Sequence, residues 1–383
     1  MSTLLMVGCA SSDGLRRAKP MDPDKVPATL SAAEALLGRG DDAPLRDLER
    51  TVKQLRSARV TEGVDADVRR RVQVALERGA DDMIRRSDDP DALEKLIESE
   101  LPMRLAARAG VRAASIEFED GDRMDAFKTI RALDRRYPTH TLRTEAGELL
   151  SKIGMSLADD RGHYLLFFSY RALAPQVLEY LALEYPNHAE ADDALNRLAT
   201  IYEERRLWRD AIQKHQELVL WAPDSPFRIA SEAAIPRLRL RSLDRPDYAR
   251  DTLQRTRVEL ESWLEVHPDH ELRPDVELML VDARQRLADN DLFAARFYAK
   301  VDSAAGIRFH ALRAEEEARR AGNLEQVAEA EALLAQAIAI PAKVQVEREP
   351  SARDADGPGR IERPVMPDAL GEPGVAPQQG GGQ

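Results

Sequence analysis

The stretch "APQVLEYLALEYP" at residues 174–186 decides the fold, because it places an alanine twelve residues before a proline. The same interval recurs in "AFKTIRALDRRYP" at 126–138 and in "AIQKHQELVLWAP" at 211–223. A fourth copy, "TRVELESWLEVHP" at 256–268, has threonine in place of the alanine. A small residue lets a neighbouring helix approach closely, and the proline ends its own helix. Repetition of this pair predicts stacked helical hairpins rather than one compact core.

The copy that ends at Pro223 can be followed through both helices of its hairpin. The apolar stripe on the first helix has helical spacing and consists of Leu195, Leu198, Ala199 and Tyr202. The matching stripe on the second helix consists of Trp208, Ala211, Ile212, His215, Leu218 and Val219. Ala199 lies twelve residues before Ala211, and we expect these alanines to face each other. Asn187 and Glu190 predict a capping box at the start of the first helix.

The predicted fold is therefore all-α, a solenoid of antiparallel helical hairpins that resembles the tetratricopeptide repeat. That repeat has a period of about 34 residues, whereas the prolines here are 48, 37 and 45 residues apart. Some of the repeats must then contain longer helices or loops. A charged fraction of 32% with only 5% aromatic residues suits exposed helices joined by leucine and alanine.

Charge and histidine placement exclude two broad classes of function. A formal net charge of −12 argues against general nucleic-acid binding, which needs a basic face. The closest histidine pair, His267 and His270, flanks Pro268 and has no cysteine or third histidine nearby, which disfavours a metal site. Without a glycine-rich phosphate loop either, the sequence predicts a non-enzymatic protein with no catalytic residues, cofactor or metal. We expect the three tryptophans to pack in the core or between repeats; they are Trp208, Trp221 and Trp263.

The start of the chain, "MSTLLMVGCASSDG", resembles a bacterial lipoprotein signal. A short apolar run ends in Gly8 and in Cys9, which is the only cysteine. In such proteins the signal is cut before the cysteine, which then carries the lipid, so Cys9 is the predicted lipidation site. The apolar run is shorter than usual and has no preceding Lys or Arg, which a start codon further upstream would explain. The alternative is an N-terminus in which the cysteine is incidental.

Composition divides the chain into five segments. Residues 1–9 form a truncated lipoprotein signal with its lipobox, and residues 10–28 form a flexible tether. Residues 29–101 form a helical N-terminal region, either degenerate repeats or a separate extension. Residues 102–340 form the tetratricopeptide-like solenoid. Residues 341–383 are rich in proline and glycine and form a disordered tail.

The segment at residues 244–300 is similar to the C-terminal half of the BamD (YfiO-type) outer-membrane assembly lipoproteins. Those proteins have a long helix ending in Tyr-Pro, then a Leu-Ala-x-His-Glu-like stretch and a Phe-Tyr pair. The corresponding residues here are Leu287-Ala288, Asn290-Asp291 and Phe297-Tyr298, with His267-Pro268 in place of Tyr-Pro. Tyr-Pro itself occurs in the earlier copies at residues 137–138 and 185–186.

The resemblance implies a scaffold of the β-barrel assembly machinery on the periplasmic face of the outer membrane, anchored by the lipid on Cys9. The implied partners are a BamA-like barrel insertase and unfolded outer-membrane protein precursors, and the residues that contact them are unknown. The alternative is a periplasmic or soluble repeat adaptor for envelope or cell-division complexes, with no role in barrel assembly.

Overall fold

The computed structural model describes residues 18–97, 101–165, 168–243 and 250–340. Within these segments the chain forms fifteen α-helices: α1 (Val26–Leu37), α2 (Leu45–Arg59), α3 (Ala66–Arg86), α4 (Pro90–Ile97), α5 (Met103–Glu119), α6 (Arg123–Arg136), α7 (Arg143–Asp159), α8 (Ala174–Glu184), α9 (Ala191–Glu204), α10 (Trp208–Trp221), α11 (Arg228–Ser242), α12 (Arg250–Val266), α13 (Arg273–Lys300), α14 (Ala304–Ala321) and α15 (Leu324–Ala339). One sheet occurs in the described segments, a two-stranded antiparallel ribbon of β1 (His163–Leu165) and β2 (Phe168–Ser169).

The helices form a stack of hairpins. Each helix packs against the next one along the chain, and the short connections make most neighbours antiparallel. Odd-numbered helices also contact the next odd-numbered helix, as in α1 with α3, α3 with α5, α5 with α7, α7 with α9, α11 with α13 and α13 with α15. Contacts of this kind between hairpins define a solenoid. The predicted all-α fold of antiparallel helical hairpins is confirmed.

The four proline-ended helices lie where the twelve-residue interval predicts them. Helices α6, α8, α10 and α12 each end two residues before their proline. The small residue at the start of each interval is fully buried at all four positions, which are Ala126, Ala174, Ala211 and Thr256. In the hairpin of α9 and α10, Ala199 is also fully buried. Close helix approach at a small side chain and helix termination at proline therefore act together in each copy.

Helical packing is continuous from the N-terminal helices into the repeats. One hydrophobic core extends from Val26 in α1 to Ala113 in α5 without a break at residue 101. The tether predicted at 10–28 is wrong in its last residues, since Pro23–Lys25 is a 3-10 helix and α1 begins at Val26. The physical reason is that Pro27 lies in the first helical turn, where a missing N–H leaves no hydrogen bond unmade.

Two helix starts differ in how they are capped. Asp65 caps α3, because its side chain accepts hydrogen bonds from the backbone N–H groups of Asp67 and Val68. The capping box predicted at Asn187 is wrong, because α9 begins only at Ala191 and Asn187 lies in the preceding turn. In that turn the side chain of His188 accepts a hydrogen bond from the backbone N–H of Glu190 instead.

Several predictions concern residues outside the described segments. These are the signal and Cys9, the first part of the tether and the tail at 341–383. Among the helices of the described segments, none is both long and apolar enough to cross a membrane.

Candidate partner-binding cleft

The turns that follow the proline-ended helices share a side-chain hydrogen bond. The third residue of each turn, counted from the proline, is His140, His188, Ser225 or His270. The Nδ1 atom of each histidine accepts the backbone N–H two residues further on, at 3.1–3.2 Å. The Oγ atom of Ser225 does the same at 3.2 Å. An Nδ1 that accepts from an N–H leaves Nε2 as the ring nitrogen that can donate.

In three of these turns an arginine side chain makes a further hydrogen bond to the backbone. The guanidinium groups of Arg143, Arg228 and Arg273 donate to the carbonyl oxygen of the proline five residues earlier, at 2.8, 3.2 and 3.0 Å. The second turn has Ala191 at this position. The start of each following helix is thus tied to the end of the preceding one, so successive hairpins hold a fixed relation.

A buried carboxylate joins α6 to α8. Asp134 is only 6% exposed. It accepts hydrogen bonds from Nε2 of His140 at 3.0 Å, from the hydroxyl of Tyr180 at 2.8 Å and from the hydroxyl of Tyr185 at 2.7 Å. Burial raises the pKa of this carboxyl, but the hydrogen bonds from His140, Tyr185 and Tyr180 more than offset it, and the pKa lies below its ordinary value. Burial and the nearby Asp134 raise the pKa of both tyrosines.

A second carboxylate, which is half-buried, plays the same part between α9, α10 and α11. Glu203 accepts from Nε2 of His215 at 3.1 Å and from Arg237 at 2.8 Å, while Nδ1 of His215 contacts Oγ of Ser231 at 3.0 Å. Burial raises the pKa of Glu203, but His215 and Arg237 lower it by more, so the pKa lies below its ordinary value. Because their hydrogen bonds run to neighbouring helices and turns, these carboxylates serve as joints between hairpins.

His267 and His270 make ring contacts and hydrogen bonds with neighbouring residues. Their rings lie 6.2 Å apart and both contact the ring of Trp263. Nε2 of His267 lies 3.1 Å from Glu232, and Nδ1 of His270 is engaged in its turn. Among the described residues no group of three or more His, Cys, Asp or Glu side chains is placed to hold a metal.

A surface cavity lies between two successive turns. Two adjoining clefts of about 370 and 420 Å³ share Ala182, Pro186, Asn187 and Trp221. The first cleft extends along the turns to Asp192 and Ser225, and the second reaches Leu183. We call this region the α8–α10 cleft. Its wall combines an indole, a proline ring and small apolar side chains with a few polar groups.

Leu183 and Trp221, which line the α8–α10 cleft, and Leu220, the neighbour of Trp221 in the sequence, are exposed to solvent. The exposed fractions are 61% for Leu183, 74% for Leu220 and 47% for Trp221. Packing in the core is confirmed for Trp263, whose Nε1 donates to the carbonyl oxygen of Ile229 at 3.2 Å. For Trp221 that prediction is wrong, because this residue lies at the last position of α10, where the helix surface opens onto the turn.

The sequence did contain a signal for this cleft. Leu183 and Leu220 stand three residues before their prolines, off the stripe that packs the helix, whereas the first and fourth copies have Arg135 and Glu265 there. Two exposed leucines at the same offset in consecutive copies mark an apolar edge of the solenoid. The one predicted modification site, Cys9, lies outside the described residues.

Comparison with known proteins adds little. No protein-family model and no curated protein matches this chain. A solved structure described as a circular tandem repeat protein with novel repeat topology and enhanced subunit contact surfaces is similar at 16% sequence identity. The match covers 82% of this chain and 76% of that one, with a TM-score of 0.20.

Proposed function

We propose that this protein is a non-enzymatic scaffold that binds other polypeptides, anchored to the outer membrane by a lipid on Cys9. Its proposed partners are a BamA-like barrel insertase and unfolded barrel precursors, as the resemblance at residues 244–300 implies. The observation that carries the proposal is the α8–α10 cleft, which is lined by the half-exposed Trp221 and the exposed Leu183.

The chemistry of the cleft suits an extended peptide. An exposed indole and a proline ring offer flat apolar faces against which a proline, aromatic or aliphatic side chain packs. Polar side chains along the turns, among them Asn187, Asp192 and Ser225, provide donors and acceptors for a peptide backbone. Aromatic anchors of this kind contribute a large share of the affinity at protein interfaces.

The cleft belongs to a rigid part of the molecule, which supports a binding role. The turns that line it are held by His188 and Ser225, and the helices behind it are joined through Glu203. A surface fixed before binding loses little conformational entropy when a partner docks. The binding edge is therefore preorganised by the same hydrogen bonds that stack the hairpins.

Affinity purification from detergent-solubilised membranes of the source organism tests this function. We expect the full-length protein to recover a BamA-like insertase, and a Leu183→Ser, Trp221→Ala variant to recover much less of it. A matched control is Val74→Ser on α3, which alters an equally exposed apolar residue outside the cleft. Recovery of a cell-division or peptidoglycan-associated complex without the insertase would favour the adaptor alternative.

The anchor is tested separately. Cys9→Ser is expected to release the protein from the membrane fraction while circular dichroism remains unchanged, because the described core begins only at Val26. Mass spectrometry of the wild-type protein should find acyl chains on Cys9. Unchanged membrane association of the variant, or an unmodified Cys9, contradicts lipid anchoring and leaves the cleft hypothesis standing.

A further inference from the structure

A second apolar surface lies at the other end of the described chain, on α13 and α14. Phe293, Phe297 and Phe309 are 60%, 58% and 57% exposed, and Leu312 is 55% exposed. Three phenylalanine rings exposed to this extent present on the order of 300 Å² of apolar surface. A patch of that size usually marks an interaction site. We call it the α13–α14 patch.

A series of ring contacts joins Phe297 on α13 to Phe309 on α14. Ring contacts run from Phe297 to Tyr298 at 5.6 Å, from Tyr298 to His310 at 5.5 Å and from His310 to Phe309 at 5.0 Å. The ring of Tyr298 also lies so close to Gly306 that a Cβ there would be 2.3 Å from it, so the helices approach closely beneath the patch. The exposed rings therefore rest on a fixed base.

The rim of the patch is mainly basic. Lys300 and Arg308 are exposed, and the guanidinium group of Arg313 lies over the ring of Phe309 at 5.0 Å. Asp302 in the turn between the helices and Glu316, four residues after Leu312, are exposed acids. Glu316 is paired with Arg320, Arg313 with Asp291, and Arg296 with Glu329 of α15. The rim thus favours an occupant that combines apolar side chains with acidic ones.

The course of the chain brings such a segment within reach. Ile340, the last described residue, packs against the same core cluster as Tyr298 and Ala299. Residues 361–372, "IERPVMPDALGE", carry four large apolar side chains, three acids and one arginine. The twenty residues between Ile340 and Ile361 span up to roughly 70 Å. A tether of this order gives an effective concentration in roughly the millimolar range, so even weak docking is populated.

We propose that residues 361–372 of the same chain dock on the α13–α14 patch, with Ile361, Val365, Met366 and Leu370 covering the phenylalanines. The acidic residues of the segment then face the basic rim. The contact is distinct from the α8–α10 cleft, and it shields an apolar surface that a partner could otherwise reach.

Photo-crosslinking on the full-length chain tests this contact. Ala369→Cys in a Cys9→Ser background provides a single thiol beside the apolar segment, and a benzophenone is attached to it. Mass spectrometry is expected to find crosslinks within residues 293–312 of the same molecule. A benzophenone at Gln379→Cys, ten residues further on, should give a much lower yield there.

Substitutions on the patch decide the outcome. Phe297→Ser with Phe309→Ser should lower the crosslink yield about tenfold, as a loss of ~1.4 kcal/mol in docking free energy does. Leu278→Ser, which alters a 68% exposed leucine of α13 outside the patch, should leave the yield unchanged. Crosslinks scattered over the surface, or insensitive to the phenylalanine substitutions, overturn the proposal. Covalent dimers overturn it as well, because the occupant is then a second copy of the chain.

Discussion

The first three proline-ended helices and the fourth differ at one buried position. Ala126, Ala174 and Ala211 place a methyl group in the seam between helices, whereas Thr256 places a hydroxyl there. All four side chains are fully buried, but the Thr256 hydroxyl has no hydrogen-bond partner among the described residues. The fourth copy therefore keeps the close helix packing of the other three, but its buried hydroxyl group lacks a hydrogen bond.

The polar groups that join the earlier hairpins do have hydrogen-bond partners. Asp134 accepts hydrogen bonds from a histidine and two tyrosines, and Glu203 is met by His215 and Arg237. A buried polar group stabilises only when its partners are present, because an unpaired one keeps its full desolvation penalty. We therefore expect substitution of Asp134 or Glu203 to destabilise the stack of hairpins, and substitution of Thr256 to stabilise it.

Removing the best-satisfied joint should have the largest effect. Asp134→Ala leaves two tyrosine hydroxyls and the His140 imidazole without their shared acceptor, and we expect a loss of about 3 kcal/mol in unfolding free energy. Urea denaturation followed by circular dichroism measures the change. An unaltered denaturation midpoint contradicts the role of Asp134 as a joint.

The pH dependence of this joint has a definite sign. The pKa of Asp134 is lowered in the folded state, so the stability that its charge provides is present at neutral pH and is lost as the pH falls through that pKa. The difference in stability between the wild type and Asp134→Asn should therefore shrink in acid. A difference that grows as the pH falls would mean that the carboxyl is protonated in the fold.

Overpacking an alanine seam should have the next largest effect. Ala211→Leu forces three extra carbons into a contact that is fully buried, at an expected cost of about 1–3 kcal/mol. Ala230→Leu in α11 is the matched control, because Ala230 is exposed and the added carbons enter solvent. Equal denaturation midpoints for the two variants would rule out the seam at Ala211.

The buried Glu117 and the half-buried Glu94 in the earlier hairpins offer a smaller, pH-dependent test. The Thr129 hydroxyl contacts a carboxylate oxygen of Glu94 and one of Glu117, the latter at 2.8 Å, although a hydroxyl has only one hydrogen to donate. Burial, together with the nearby Glu94, raises the pKa of Glu117 to about 7 despite its hydrogen bond to Thr129.

Glu117→Gln should remove the penalty of charging this group. A raised pKa means that the folded state holds the proton more tightly, so wild-type stability falls as the pH rises from about 4.5 to about 7. The variant should gain about 1 kcal/mol over the wild type at pH 8, after allowance for solvent screening, and little at pH 4. Denaturation midpoints at the two pH values measure this difference. A constant offset between the proteins contradicts the raised pKa.

The sequence predicted the parts of the fold that depend on local spacing. Proline positions located the ends of α6, α8, α10 and α12, and helical periodicity located the buried faces. Turn chemistry was harder to predict. His140, His188 and His270 look scattered along the chain, and only their shared offset from proline shows that they form one class.

The α8–α10 cleft and the joints depend on contacts between repeats, which lie 30–50 residues apart in sequence. Asp134 meets Tyr180 and Tyr185, and Glu203 meets Arg237, only because the hairpins stack. Nothing in the local pattern distinguishes these carboxylates from the many that face solvent. Whether a buried group is satisfied is therefore a property of the stack, and Thr256 is the position where this can be measured most directly.

Thr256→Ala should stabilise the protein, by about 0.5–1 kcal/mol. Relief of the unpaired buried hydroxyl contributes ~1–3 kcal/mol, and the higher helix propensity of alanine adds roughly 0.5 kcal/mol. The lost methyl group removes about 1 kcal/mol of burial and leaves a small cavity, so the net gain is modest.

Thr129→Ala is the matched control for this last substitution. Thr129 is equally buried and helical, but its hydroxyl donates to a carboxylate, so the same change should destabilise. The urea denaturation midpoint should rise for Thr256→Ala and fall for Thr129→Ala. Because the two residues are equally buried, this difference would show that the effect depends on whether the hydroxyl has a hydrogen-bond partner. If Thr256→Ala destabilises the protein as Thr129→Ala does, the hydroxyl of Thr256 has a partner, and the fourth copy is as well satisfied as the first three.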